Sequence, residues 1–370
     1  MEFTIAKTDL VRELSLSQGV IEKRTTIPIL SNILVEATQD RIILTATDLE
    51  LGIRCSCPAT VKKQGAGTVP AKRFLDYVRL LPDAELQVKF AENQWVSIVC
   101  GRSRTRIAGM SRDSYPELPE PAERIAEIPA AALGAAISQT IFAISMEESR
   151  FTVNGALLVL KPDSLTMVAT DGHRLALAQH PVQLGPEAGH KALLPRKAMS
   201  ELTKLCSDAA PDVKVDFSAT ENHLFFRIGD RLLISRKLTG SFPDYDRVLP
   251  REHPHQINLP RDEFRGTIER VAQFSDERSH AVKVRVEAGE LKVHSSLSET
   301  GESEESVAVD YDGPAVEIGF NAQYILEFIR AVPESQVAFL FKDAGSAGEL
   351  RPYAETVAYN YRYIIMPMRI

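Results

Sequence analysis

Asp171, His173 and Arg174 place an acid, a base and a cation within four positions, the set that general acid–base chemistry requires. Their i, i+2 spacing puts Asp171 and His173 on one face of an extended segment, yet nothing nearby is arranged for them to activate. The chain contains no G-x-S-x-G nucleophile elbow, no G-x-x-x-x-G-K-[ST] phosphate loop and no H-E-x-x-H. Gly65-Ala66-Gly67 reads as a turn, not a phosphate cradle. The cysteines Cys55, Cys57, Cys100 and Cys206 form no C-x-x-C pair. Cys55 and Cys57 share one strand face, no second ligand pair follows at zinc spacing, and small reduced thiols of a cytosolic protein are expected. No metal and no cofactor are therefore expected, and catalysis is the weaker reading beside binding.

The elements that position these residues come from a threefold internal repeat. Thr68–Pro82, Ala192–Leu205 and Glu317–Pro333 each read as a strand followed by an amphipathic helix, and Pro70, Pro195 and Phe320 stand 125 positions apart each time. An earlier helix recurs at Thr8–Gln18, Pro129–Ile141 and Arg261–Phe274, each with apolar residues at i, i+3, i+4 and i+7. Pro129 suits a first helical turn. Alternating strands follow at Arg41–Ala46, Ser164–Ala169 and Glu290–Ser295, the first two closed by Ala-Thr-Asp. Later strands are expected at Gln94–Cys100, His223–Ile228 and Ala354–Met366.

The proline-rich segments Ser114–Pro119 and Phe242–Tyr245 read as equivalent linkers. They divide the chain into domains 1–120, 121–250 and 251–370, each an α+β unit of two helices and about eight strands. Similar units on short linkers are related by nearly constant rotation. At roughly 60° per unit, three make a half circle and two chains joined head to tail close a ring.

Composition fits this class. Of 370 residues, 44% are hydrophobic and 25% charged, and the formal net charge is −7. That argues against a simple basic coat for nucleic acid. Cations nevertheless recur in or near these helices: Lys7, Arg12 and Arg24; Lys72, Arg73 and Arg79; Arg196, Lys197 and Lys204; Arg261, Arg265 and Arg270. A ring lined this way would hold duplex phosphates weakly and without sequence preference, with a log–log salt slope of about −0.9 per contact. The N-terminus has neither the basic nor the apolar region of a signal peptide. The uncharged run Ile128–Met146 is too weakly apolar for a membrane span.

Five motifs resemble one family across the whole chain: Ile27-Pro-Ile-Leu-Ser-Asn32, Ala169-Thr-Asp-Gly-His-Arg-Leu175, Phe242-Pro-Asp-Tyr245 with Arg247-Val248, Gly319-Phe-Asn321 with Tyr324, and Met366-Pro-Met-Arg-Ile370. In this order they are similar to the bacterial DNA polymerase III β subunit, the sliding clamp. The resemblance implies three clamp domains per chain, helices inside and antiparallel sheets outside, in a cytoplasmic head-to-tail homodimer of six domains. The partners it implies are encircled duplex DNA, the replicative polymerase α subunit, the clamp loader, and other polymerases and repair proteins carrying a clamp-binding motif.

It also implies a hydrophobic pocket for short linear peptides. The pocket positions carry over onto Val153, Thr170, Gly172, His173, Arg174, Leu175, Pro243, Arg247, Val248, Asn321, Tyr324, Met366, Pro367, Met368, Arg369 and Ile370. Read as residues, Met366 and Met368 adapt to several partners. Leu175, Val248 and Ile370 would bury an apolar anchor, and Arg174 and Arg247 would contact peptide carbonyls or acids. The family often has an aromatic residue at Ser279 and a branched aliphatic one at Gly345, which flank the pocket.

DNA contact is expected from Arg24, Lys72, Arg73, Arg79, Arg150, Arg196 and Lys197. The dimer contact is expected from an edge strand carrying Arg104, Thr105, Arg106 and Ile107, facing Phe274 of the partner chain. The rival readings are an enzyme centred on Asp171, His173 and Arg174, and a protein scaffold that never meets DNA.

Overall fold

The computed structural model describes residues 1–21, 26–147, 149–185, 188–297 and 301–369. Among the described residues six α-helices recur in pairs: α1 (Lys7–Gln18) and α2 (Ala71–Leu80), α3 (Ala130–Ser138) and α4 (Arg196–Ser207), α5 (Arg261–Val271) and α6 (Ala322–Ala331). α2 shows why these segments are helical: Ala71, Phe74, Leu75 and Val78 are buried on one stripe while Lys72, Arg73 and Arg79 stay outside it. α1 packs on α2, and α5 on α6.

The start of the second helix in each copy corrects the expected period. α2 and α4 begin 125 residues apart, but α6 begins 126 after α4. Asn321, not Phe320, is thus the counterpart of Pro70 and Pro195. Its side-chain oxygen accepts the Gln323 and Tyr324 amides at 2.8 and 3.3 Å, the capping that a proline cannot provide. Pro129 is also corrected. It closes strand Arg124–Pro129, opposite Lys214, and α3 starts one residue later. Of the expected Ala354–Met366 strand only Asn360–Ile365 is extended, and Gly348–Tyr353, just before that range, is a strand not expected.

Tertiary contacts divide the chain into two compact units, residues 1–134 with 197–237, and residues 135–196 with 238–370. All strand pairs within the sheets are antiparallel. In the first unit a five-stranded sheet runs Thr60–Lys63, Glu2–Ala6, Glu85–Phe90, Trp95–Cys100, Ser103–Ala108. Its eight-stranded sheet runs Arg124–Pro129, Lys214–Ala219, His223–Ile228, Arg231–Arg236, Leu51–Pro58, Arg41–Thr47, Asn32–Thr38, Gly65–Pro70.

In the second unit an eight-stranded sheet runs His190–Pro195, Gly155–Lys161, Ser164–Thr170, Arg174–Pro181, Asn360–Ile365, Gly348–Tyr353, Gln336–Phe341, His255–Pro260. A four-stranded sheet runs Gly301–Ala308, Glu290–Leu297, Ala281–Glu287, Val316–Asn321. The two large sheets share a plan: in each, strands distant in sequence meet at one seam, Leu232 opposite Arg54 in the first and Leu175 opposite Ile364 in the second. The strand burial patterns alternate wherever one face meets solvent, as at Glu85–Phe90. Strand Ser164–Thr170, covered on both faces, is buried throughout.

Candidate functional site

The site is built around a tight turn, Thr170 to Arg174. The Thr170 hydroxyl donates to the Arg174 carbonyl at 2.6 Å and accepts from the Gly172 amide at 3.1 Å. One Asp171 oxygen accepts the His173 and Arg174 amides, at 2.9 and 3.1 Å. Gly172 takes φ +89°, a conformation that suits a residue without Cβ. The Ala-Thr-Asp repeat proves to be this device twice over. Thr47 donates to the Leu51 carbonyl at 2.9 Å, and one Asp48 oxygen accepts the Glu50 and Leu51 amides at 2.9 and 2.6 Å. There Leu49 stands in for glycine at φ +80°.

Arg174 is buried beneath the turn. It donates to Asp171 at 2.9 Å, the Phe142 carbonyl at 2.6 Å, the Tyr363 hydroxyl at 3.4 Å, and Glu327. Burial disfavours its charge, but Tyr363 and Glu327 more than offset this and hold its pKa above the ordinary arginine value. Four donor directions are thus spent inside the protein. Arg174 lines the pocket beside this turn, as expected, but its donors are turned inward, so there it is a strut under the turn. Asp171 commits both oxygens to the turn and to Arg174, so the acid of the enzymatic reading has no free face.

Beside the turn lies a pocket of about 190 Å³. Leu175 and Ile364, cross-strand neighbours, form its floor, and Val153, Thr170 and Gly172 one wall. The linker supplies Pro243, Tyr245 and Val248, and the tail supplies Met366. Val248 and Met366 remain about half exposed, at 45% and 44%. Apolar residues held open in this way are suited to covering an apolar anchor. Val168, Leu175, Leu177 and Ile364 cluster beneath, with Phe242, Tyr245 and Leu249 of the linker packed on them.

Other expected pocket residues are placed around it. His173 is exposed, and its carbonyl accepts the Met366 amide at 2.9 Å. Arg247 is 85% exposed on its side chain and pairs with Asp244 at 2.8 Å. Tyr324 faces Arg174, and the Asn321 side-chain Nδ2 donates to the Ser279 carbonyl at 3.1 Å. Pro367 precedes Met368, whose amide donates to the Gly319 carbonyl at 2.8 Å and anchors the tail, and Arg369 is exposed. Gly345 belongs to an exposed turn closed by Asp343 at 3.0 Å. Ile370 lies outside the described residues.

Three pocket residues were not anticipated there. By sequence Tyr245 belongs to the linker motif alone. Ile364 is an ordinary strand residue whose role comes from its partner Leu175. Arg150, expected to face DNA, lines this pocket and donates to the Asp171 carbonyl at 2.6 Å.

The remaining cations differ in availability. Arg73 is exposed, Lys72 pairs with Asp76 at 2.5 Å, and Arg79 donates to the Ser15 hydroxyl at 2.9 Å. Arg196 reaches the Ile141 and Ile144 carbonyls at 3.4 and 3.5 Å. Lys197 is fastened to the Val20 carbonyl at 2.9 Å and to Asp48, so it is a brace on the Asp48 turn. Arg24 lies outside the described residues.

On edge strand Ser103–Ala108, Arg104 and Arg106 point outward while Ile107 is 4% exposed. Ile107, expected as an apolar dimer contact, faces its own core because the strand alternation turns the arginines out. Phe274 is half-buried, its ring beside Gly301.

All four cysteines are buried and free, and burial raises the thiols of Cys57 and Cys206 to about 12 and about 11. Cys57 and Cys206 are therefore poor nucleophiles at neutral pH. Among the described residues no group of three His, Cys, Asp or Glu is placed to hold a metal ion, and no helix is long and apolar enough to cross a membrane.

Comparison with known proteins agrees along the full length. Models of the DNA polymerase III beta subunit match its N-terminal domain to residues 1–119, its central domain to 127–244 and its C-terminal domain to 246–369. The beta sliding clamps of Pseudomonas putida and Caulobacter vibrioides are 33% and 36% identical, with 100% of each chain covered. The crystal structure of the DNA polymerase III subunit beta from Pseudomonas aeruginosa superposes with a TM-score of 0.93 at 32% identity, 100% of both chains covered. A sliding clamp from the same organism, bound to griselimycin, gives a TM-score of 0.94 at 32% identity, again over 100% of both chains. With three domain models in order and full-length relatives of this similarity, the chain belongs to the DNA polymerase III beta subunit family, the beta sliding clamps.

Proposed function

We propose that this sliding clamp closes as a head-to-tail homodimer around duplex DNA in the cytoplasm, and tethers proteins through the pocket at Leu175 without catalysing a reaction. The observation that carries the tethering is the pocket itself: a preformed apolar recess rimmed by half-exposed Val248 and Met366, beside a turn whose acid is fully engaged. A relative bound to griselimycin supports reading it as a ligand site. Its occupants are short apolar-anchored segments of the replicative polymerase α subunit, the clamp loader, and other polymerases and repair proteins. Tethering needs no titrating group, only shape and apolar area.

Closure rests on two free sheet edges of opposite charge. Edge strand Ser103–Ala108 turns Arg104 and Arg106 outward, and edge strand Gly301–Ala308 turns Glu302 and Glu304 outward. Two copies joined head to tail would bring basic edge to acidic edge, covering strands that would otherwise invite indiscriminate pairing. DNA contact falls to exposed helix cations such as Arg73, with domain limits near residues 120 and 250.

The test is primer extension with the cognate polymerase, alongside gel filtration. Replacing residues 366–370, or Leu175 and Met368 together, is expected to abolish stimulation while leaving the dimer intact. Unchanged stimulation overturns the pocket assignment. Retention on closed circular DNA with loss from linear DNA separates a clamp from a scaffold that never meets DNA.

A further inference from the structure

The two eight-stranded sheets carry the same cross-strand row. In the second unit it runs Leu157, Val168, Leu177, and in the first it runs Leu34, Thr45, Arg54. In the second unit the row is apolar, and Phe242, Tyr245 and Leu249 of the linker pack on it. In the first unit the matching linker spans the row without filling it. Tyr115 packs on Ile29, Leu30 and Leu34, and its hydroxyl donates to the Thr45 carbonyl at 2.9 Å. Leu118 packs on Phe225, Leu232 and Ile234, and covers Gly52, the counterpart of Leu175. Between these anchors an open cleft of about 610 Å³ remains, within the range of ligand-sized sites, about 300–1,000 Å³.

Thr45 lines the cleft, is 3% exposed, and its hydroxyl has no hydrogen-bond partner. A buried hydroxyl left unpaired is costly, and native structures rarely leave one without a use. The charges around it are arranged asymmetrically. Arg54 pairs with Glu120 and Arg112 with Glu36, each at 3.1 Å. Asp113 and Glu117, also lining the cleft, have no cationic partner among the described residues. The lining therefore carries uncompensated negative charge beside the apolar side chains of Leu34 and Leu118.

We propose that this cleft is a second ligand site, which takes an extended basic peptide segment of a partner protein. A lysine or arginine has an aliphatic stem for the leucines and a charged head for Asp113 and Glu117. A peptide backbone offers the donor and acceptor that the Thr45 hydroxyl lacks. The site is independent of the Leu175 pocket. The apolar anchor position is closed here by Leu118, so the two sites select opposite chemistries.

The experiment titrates the full-length protein with a capped hexapeptide, Lys-Ala-Lys-Ser-Lys-Ala, with its glutamate counterpart, and with spermidine. Methyl resonances of Leu34 and Leu118 are followed by NMR. Saturable shifts with the basic peptide alone are expected. Thr45→Val and Glu117→Gln should each weaken binding by about tenfold, the loss of one charge-assisted or buried hydrogen bond. Thr45→Val should at the same time raise the melting temperature of the free protein, because it removes the unpaired hydroxyl. Equal binding of the acidic peptide or of spermidine, absence of shifts at both leucines, or parental affinity in both variants would each overturn the proposal. Glu117 is exposed, so its variant keeps the test decisive even if Thr45→Val perturbs the strand.

Discussion

The guanidinium of Arg174 lies 4.1 Å from the centre of the Tyr324 ring while the same side chain reaches Asp171 and Glu327. One residue thereby joins the turn that walls the pocket to helix α6. The corresponding turn in the first unit is braced differently, by Lys197 on Asp48. The repeat conserves the turn and varies the strut.

Arg174→Ala should therefore destabilise the protein by about 3 kcal/mol, because Asp171 and Glu327 lose a shared buried partner. Arg174→Lys should recover less than half of that, since one ammonium cannot span acceptors placed for a planar fork. Denaturant titration measures both. A Lys variant as stable as the parent would show that only the charge matters.

Glu349 is buried and receives Arg351 and Arg362 at 2.6 Å each, with His253 at 2.7 Å. Burial opposes its ionisation, yet hydrogen bonds from Arg362 and Arg351 prevail and bring its pKa down from 4.5 to about 2. A depressed folded-state pKa contributes stability that is complete above the unfolded value and is lost as pH falls toward the folded one. Acid should thus weaken the second unit between pH 4.5 and about 2. Glu349→Gln should cost on the order of 3 kcal/mol at pH 7 and flatten this limb of the stability curve.

Leu49 and Gly172 occupy the same left-handed position of the two turns, at φ +80° and +89°. Leu49 is 51% exposed, so replacing it with glycine forfeits little packing. Leu49→Gly should stabilise by about 0.5–1 kcal/mol, strain relief exceeding the entropy cost of glycine. Gly172→Ala should do the reverse and crowd Arg150, which already lies 3.0 Å from the added Cβ position. Thermal melts of the two single variants check the opposite signs.

Reversing Arg104 and Arg106 to glutamate together should convert the dimer to monomers in sedimentation velocity. Adding Glu302→Arg and Glu304→Arg to the same chain should restore it, as complementary edges set pairing. Failure of the quadruple variant to reassociate would move the interface elsewhere.

The helices and most strands were legible because apolar periodicity and a recurring motif point to the same elements. The one-residue slip at Asn321 was not, because a side-chain cap and a proline open a helix equally well. The pocket's linker and tail residues, Pro243, Val248 and Met366, follow from motif order. The fates of the charged residues do not. Arg174 and Lys197 look like available cations until all their acceptors are known, and the Phe142 carbonyl, Glu327 and Asp48 are distant from them in sequence. Arg150 likewise depends on a contact with the Asp171 carbonyl, for which spacing gives no signal. Ile107 was misdirected by a register that only the pairing of strand Ser103–Ala108 with Trp95–Cys100 defines.

Strand Arg231–Arg236 is laced to Leu51–Pro58, and Arg174–Pro181 to Asn360–Ile365, by unbroken registers of peptide groups. Each lacing joins stretches matched by different domain models. A bending load on such a seam is shared by many amides at once, so it behaves as a stiff weld. Within each unit, give is left to the turns and connections at the strand ends, and a force applied to the sheet would be delivered there.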